Sequence, residues 1–239
     1  MRLQKFLSRA GVASRREAER MMLAGRVTVN GEPATELGTR VESEADLVAV
    51  DGEVVKLMAP RWLVFHKPVG VLTTRHDPEG RPTVYDVIGA PASGLRYVGR
   101  LDYLTSGLIL LTNQGEIVHR LTHPSWEIER EYRVEVEGAE PDLPRRLVDG
   151  VILEEGPARA KRAEWGRGRR PALHLVLAEG RNREVRRMIA ETGCVVRRLT
   201  RVRYGPVRLG DLPSGSWRDL TPEEIRSLRE VTGSDEVKG

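Results

Sequence analysis

A chain of 239 residues is long enough to bury a sizeable core and suits one medium domain or a small domain followed by a larger one. Apolar residues at 39% and charged residues at 31% exclude a disordered chain, and no apolar run approaches the roughly 20 residues that a spanning helix requires. The single cysteine, Cys194, excludes an intrachain disulfide, and a formal charge of only +4 makes the placement of the basic residues more informative than their number.

Residues 1–57 read as a compact unit of two short helices and hairpins. Leu3, Phe6, Leu7 and Ala10 fall at helical spacing, and Arg2, Lys5 and Arg9 interrupt the segment too often for a secretory signal, so a reducing, cytoplasmic setting is expected. Ser14 stands three residues before Glu17, a capping-box pattern, and opens a second helix that carries Ala18, Met21 and Met22 inward. Val27 and Val29 alternate into Asn30-Gly31, and Leu47, Val48 and Val50 lead into Asp51-Gly52, both suited to tight hairpin turns. Arg2, Lys5 and Arg9 lie off the apolar face, and Arg16 and Arg20 are one turn apart, so these helices present either a phosphate-binding face or a solvated one.

Pro60 within residues 58–61 marks a linker into a second domain, residues 62–230, before a flexible tail at 231–239. Strands are expected over 62–65, 97–101, 108–112, 132–136 and 173–177, and helices over 116–121, 182–192 and 222–229. Thr221-Pro222-Glu223-Glu224 supplies an N-cap, a first-turn proline and a capping-box glutamate for the last helix. Strands and helices without regular alternation point to an α+β fold.

One polar loop interrupts the apolar strands: Gly99-Arg100-Leu101-Asp102-Tyr103-Leu104-Thr105-Ser106-Gly107. A carboxylate held on a turn between buried strands is fixed and partly desolvated, which suits a nucleophile; equally, Asp102 can simply close a turn with Thr105 or Ser106. Residues 181–208 form a second basic region, containing Arg181, Arg183, Arg186, Arg187, Arg197, Arg198, Arg201, Arg203 and Arg208 against Glu184 and Glu191. So much like charge is expected to face a polyanion, and Tyr204 among these residues can stack on a base or pack. His119 and His123, at i and i+4, lack the further ligands of a zinc site. Asp102 with Glu131 gives a nominal carboxylate pair for sugar hydrolysis, which the surrounding arginines disfavour. Cys194 reads as a buried small residue. No phosphate-binding loop or dinucleotide fingerprint occurs.

Gly99-Arg100-Leu101-Asp102 with Thr105, Ser106-Gly107-Leu108 and Leu111-Thr112-Asn113 resembles the catalytic motif of the RsuA/RluB/RluE/RluF family of ribosomal RNA pseudouridine synthases, with the blocks nearest its RluB, large-subunit branch. Phe65-His66-Lys67-Pro68-Val69-Gly70-Val71, Arg130-Glu131-Tyr132-Arg133-Val134 and the stretch from Glu179 to Met188 match further family blocks in the expected order, and residues 1–57 resemble the S-four-type RNA-binding domain. Gln114 departs from the Asp or Asn of many relatives. The resemblance implies a mixed, mostly antiparallel sheet flanked by helices, with Asp102 as nucleophile. Tyr132 would stack on uracil, Arg186 would pair with Asp102, and Arg100 would fill the gap left by a flipped uridine. Arg181, Arg183 and Arg187 would bind substrate, as would Lys5, Arg9 and Arg16 on the N-terminal domain. The implied reaction converts uridine to pseudouridine with no metal and no small-molecule cofactor. The implied partner is ribosomal RNA, 23S rRNA or a pre-ribosomal particle, with no membrane. A small-subunit rRNA synthase and a non-catalytic rRNA-binding or ribosome-assembly protein are the alternatives.

Overall fold

The computed structural model describes residues 1–168 and 171–233, and the chain divides into two compact units. The first comprises Met1–Arg61 together with Ala90–Arg96 and Thr112–Gly115; the remaining segments form the second.

In the first unit, α1 (Leu3–Arg9) and α2 (Arg15–Leu23) precede β1 (Val27–Val29), β2 (Glu32–Pro33), β3 (Val48–Val50) and β4 (Glu53–Val54). The strands form an antiparallel sheet in the order β2-β1-β3-β4. Its two outer hairpins turn at Asn30-Gly31 and Asp51-Gly52, where all four residues have positive φ, as the turn chemistry requires. Leu3, Phe6, Leu7, Met22, Val27 and Val48 are buried as one core. Ser14 Oγ accepts from Glu17 N at 3.2 Å, but the Glu17 carboxylate turns to Arg20 (2.9 Å) rather than closing the box. Two segments from well beyond residue 61 complete this unit. Asn113 donates through Nδ2 to Ala59 O (2.7 Å) and accepts from Arg61 N (3.0 Å), and Arg96 bonds to the Ser8 hydroxyl.

The second unit is built on β5 (Trp62–Lys67), α3 (Val84–Ile88), β6 (Arg96–Val98), β7 (Ser106–Thr112), α4 (Gly115–Thr122), β8 (Arg130–Glu137) and α5 (Leu143–Asp149). It continues through β9 (Val151–Leu153), β10 (Gly156–Ala158), β11 (Arg162–Trp165), β12 (Leu173–Leu177) and α6 (Glu184–Ala190). It ends with β13 (Val195–Tyr204), β14 (Val207–Arg208), β15 (Trp217–Asp219) and α7 (Pro222–Val231). The main sheet runs β11-β12-β8-β13-β7-β5-β15, with β6 on β7 and β14 on β13, while β9 and β10 form a separate hairpin. The registered pairs are antiparallel except β13 with β7, which is parallel. One rung therefore crosses four strands: Leu175, Tyr132, Arg201 and Gly107 lie side by side on β12, β8, β13 and β7. Two apolar clusters fill this unit. One gathers Val134, Leu147, Leu173, Leu175, Met188 and Ile189; the other gathers Trp62, Val64, Leu108, Leu110, Leu121 and Leu228.

Several elements differ from expectation for local physical reasons. The central strand β13 occupies part of the region read only as a basic surface, because its buried positions include Arg201 and Arg203 and so break the apolar alternation. Helix α6 starts at Glu184, not at residue 182, because Arg183 is left-handed (φ 48°). Helix α7 runs to Val231, and Thr232 is fully buried with its hydroxyl donating to Leu228 O at 2.9 Å, so the chain is still packed where a flexible tail was expected to begin. Residues 234–239 of that tail lie outside the described residues. No helix among the described residues is long and apolar enough to cross a membrane.

Candidate active site

Between β6 and β7 the chain makes a tight turn, closed by the backbone: Thr105 N donates to Asp102 O at 3.0 Å. Neither neighbouring hydroxyl takes the Asp102 carboxylate. Ser106 Oγ bonds instead to Thr200 Oγ1 at 2.8 Å, and Thr105 Oγ1 is buried without a partner. The half-buried Asp102 carboxylate has no hydrogen-bond partner among the described residues. It lines a cavity of about 440 Å³ together with Tyr132 and five arginines: Arg100, Arg130, Arg181, Arg183 and Arg201. Leu177, Val185 and Leu199 from one apolar cluster and Tyr204 from the other form its walls, so the cavity opens where the two cores meet. An anionic oxygen with free lone pairs in a cationic recess is available to a substrate.

Two buried cations belong to these surroundings, Arg201 in the lining itself and Lys67 within reach of the Asp102 charge. Lys67 is fully buried at the end of β5 and donates to Pro68 O (2.8 Å) and Val71 O (2.7 Å). Burial pushes its ammonium down to about 8, against the favourable charge of Asp102, and Arg201 lowers it further. Arg201, 2% exposed, donates through Nε to Leu108 O (2.8 Å) and sits 4.9 Å from the Tyr204 ring centre, while its Nη2 is buried without a partner. Arg130 flanks the same ring at 5.1 Å, and Tyr204 donates its hydroxyl to Leu121 O at 2.7 Å. Tyr204 is therefore a packed core residue between two guanidinium groups. The Lys67 shift has a consequence for stability. Because the folded chain holds this proton more weakly than the unfolded chain, wild type should gain about 3 kcal/mol relative to Lys67→Met as pH rises from about 8 to 10.5. Parallel denaturant titrations across that window check it, and a constant difference would reject it.

The basic residues expected at the site separate into distinct groups. Arg100 and Arg183 are exposed and line the cavity, the latter aimed by its left-handed backbone. Arg181 also lines it, but its guanidinium is engaged by Glu179 (2.7 Å) and by the carbonyls of Gly156 (3.3 Å) and Pro157 (2.8 Å). Arg187 is held by both oxygens of Glu155, at 2.7 and 2.6 Å, so it ties α6 to the β9–β10 hairpin. Arg186 forms no ion pair with Asp102 among the described residues. Its Nη2 donates to Leu104 O at 2.8 Å, two residues along the same turn. Burial and Arg183 weaken the Arg186 proton, while the charge of Asp102 strengthens it. Glu184, buried, accepts from Arg181 N at 3.1 Å, and burial raises its carboxyl above the usual range. In the N-terminal unit Arg16 is exposed, whereas Lys5 and Arg9 are half-buried.

The other sequence candidates have structural occupations. Glu131 binds Arg203 (3.0 Å) and His174 (3.2 Å). His119 and His123 stack with ring centres 5.3 Å apart, and His123 Nδ1 accepts from Ser125 N at 3.3 Å. Cys194 is buried, its thiol donating to Gly138 O at 3.4 Å. Sequence reasoning assigned no role to Lys67 or Arg130 and read Arg201 as surface. The available signal was a basic residue placed at a strand end or inside an apolar register.

Comparison with known proteins follows the same division. Residues 61–191 match the family model described as RNA pseudouridylate synthase, and residues 1–47 match the S4 domain. The chain is 47% identical over 241 residues to "Ribosomal large subunit pseudouridine synthase B" of Vibrio vulnificus, covering 96% of this chain and 75% of that protein. It is 40% identical over 237 residues to "Uncharacterized RNA pseudouridine synthase" of Aquifex aeolicus, covering 98% and 95% respectively. A solved structure described as "Crystal structure of pseudouridylate synthase" superposes with a TM-score of 0.66 at 30% identity, over 95% of this chain and 99% of that one. An acidic turn facing an arginine-lined cavity, on a mixed sheet preceded by an S4 domain, thus sits in a chain that belongs to the RNA pseudouridylate synthase family.

Proposed function

We propose that this protein isomerises uridine to pseudouridine in large-subunit ribosomal RNA, with Asp102 as the nucleophile. The observation that carries the reading is the unpartnered Asp102 carboxylate facing a cavity shared with Tyr132 and five arginines. The large-subunit assignment, with 23S rRNA or a particle assembling around it as the substrate, rests on similarity to relatives that bear that name.

The chemistry suits these residues. The N1–C1′ bond breaks, the uracil turns, a C5–C1′ bond forms, and the proton lost from C5 is balanced by one gained at N1. Lys67 and Arg186 place positive charge near the Asp102 carboxylate, and Arg201 lines the same cavity. A uridine taken out of its stack costs a few kcal/mol, and pocket contacts recover that cost. Tyr132 offers a stacking face worth about 1–3 kcal/mol per base. Arg100 and Arg183, exposed at the rim, meet the phosphates and the space the uridine vacates. Arg186 acts through the turn: holding Leu104 O, it fixes the loop while adding positive charge near Asp102. The S4 domain supplies further RNA contact through Lys5, Arg9 and Arg16.

Carbodiimide modification with primer extension, applied to large-subunit rRNA from cells with and without the gene, tests this reading. One uridine-derived stop should vanish on deletion and return when purified protein acts on the unmodified rRNA. An unchanged map, with no product in vitro, would reject the activity.

A further inference from the structure

Asp102 has no side-chain hydrogen bond to hold it, so its position must be set through the backbone on either side. Both neighbours are anchored by a single segment, residues 70–73. The buried Thr73 hydroxyl donates to Leu101 O at 2.9 Å and lies 3.3 Å from Leu101 N, which donates to it. On the other side, Gly70 N donates to Tyr103 O at 2.9 Å, an amide direction that its positive φ of 83° permits. The residue before Asp102 is thus fixed at both backbone groups by one side chain, and the residue after it by one amide.

The anchoring segment is itself rigidly held. Lys67 closes the turn that leads into it by binding Pro68 O and Val71 O from within. Leu72 exchanges hydrogen bonds with the start of α3: Leu72 N donates to Pro82 O, and Val84 N donates to Leu72 O, each at 2.9 Å. That helix start is locked by a capping box between Thr83 and Asp86. Hydrogen bonds and the peptide links between them therefore lead from the α3 cap through Leu72 and Thr73 to the residue preceding the carboxylate.

From this arrangement, and resting on the functional reading above, we propose that Thr73 is a positioning residue for Asp102. Its hydroxyl holds the Leu101 peptide groups so that the carboxylate faces the cavity without being neutralised by a donor of its own. Valine keeps the shape of the side chain and removes both hydrogen bonds, whereas serine keeps the hydroxyl.

Single-turnover rates, RNA affinity by filter binding, and amide exchange of residues 99–105 are to be measured for wild type, Thr73→Val and Thr73→Ser. Thr73→Val is expected to slow product formation about 100-fold, as a displaced reacting group does, while RNA affinity stays within about twofold. Amide exchange in the turn should quicken about tenfold in this variant, with other segments unchanged. Thr73→Ser should restore the rate to within about threefold of wild type. If Thr73→Val does not fold, Thr73→Ala removes the hydroxyl without adding an apolar contact and serves the same comparison. A Thr73→Val rate within about threefold of wild type, a serine variant as slow as the valine one, or unchanged exchange in the turn would each overturn the proposal. If wild type itself makes no pseudouridine, the functional reading fails, and the exchange measurement still decides whether Thr73 holds the turn.

Discussion

Asp102→Asn is expected to leave a folded, RNA-binding protein whose turnover falls on the order of 10⁴-fold or more. The substitution is nearly isosteric, and because the carboxylate has no hydrogen-bond partner among the described residues, no network is broken by it. An amide nitrogen or oxygen is a far weaker nucleophile than a carboxylate, so the loss falls on the chemical step and not on binding. Removing the negative charge also removes a favourable influence on the buried Lys67 ammonium, whose hold on its proton should weaken further. Purified variant and wild type compared in single-turnover reactions with rRNA, alongside filter binding, give the measurement. Residual product formation above about one part in a hundred of the wild-type rate would reject Asp102 as nucleophile, since a lost nucleophile costs orders of magnitude more.

Gly107→Ala should be the most damaging of the small substitutions near the site. A Cβ at this position would lie 2.3 Å from Arg201 O and 2.5 Å from Arg201 N, both backbone atoms of the parallel neighbour strand, and φ is +115°. Neither atom can give way locally, because Arg201 is buried mid-sheet and its side chain is committed to Leu108 O and the Tyr204 ring. Strand β13 would have to separate from β7 at the rung that also carries Tyr132. A cost of at least about 3 kcal/mol follows, with a fall in melting temperature of about 6–12 °C. Gly138→Ala provides the comparison: its φ is +75° but nothing lies within 4 Å, so only the left-handed backbone term of about 1–2 kcal/mol applies. Equal destabilisation of the two variants would show that the close approach at Gly107 is relieved at no cost.

What was legible in the amino-acid sequence was whatever local chemistry decides. Asn30-Gly31 and Asp51-Gly52 turn their hairpins because those residues tolerate positive φ, and Thr221 with Glu224 caps α7 as the spacing predicts. Strand β12 is apolar enough to be read directly. Helices α3 and α5 left weaker traces: Thr83 three residues before Asp86, and Pro144 just inside α5 after Asp142. Strand β13 could not be found by apolar alternation, since tertiary partners rather than apolar character keep Arg201 and Arg203 inside: a ring and a carbonyl for one, Glu129 and Glu131 for the other. The acidic turn was visible as a pattern. The anchoring of that turn by Thr73 was not, because a hydroxyl bonding a backbone 28 positions away leaves no mark on its own neighbourhood.

The many carboxylate contacts of the basic region bear on how this protein meets a charged polymer. Arg181, Arg187, Arg197, Arg198 and Arg203 are each matched with a glutamate of their own chain. Such groups are already neutralised, and they displace few condensed counterions when a polyanion arrives. Affinity should therefore respond to ionic strength as if the region carried only its uncommitted guanidinium groups. Arg183, which has no such match among the described residues, lies exposed on the lining of the recess, so part of the long-range attraction falls where the proposed substrate base would enter.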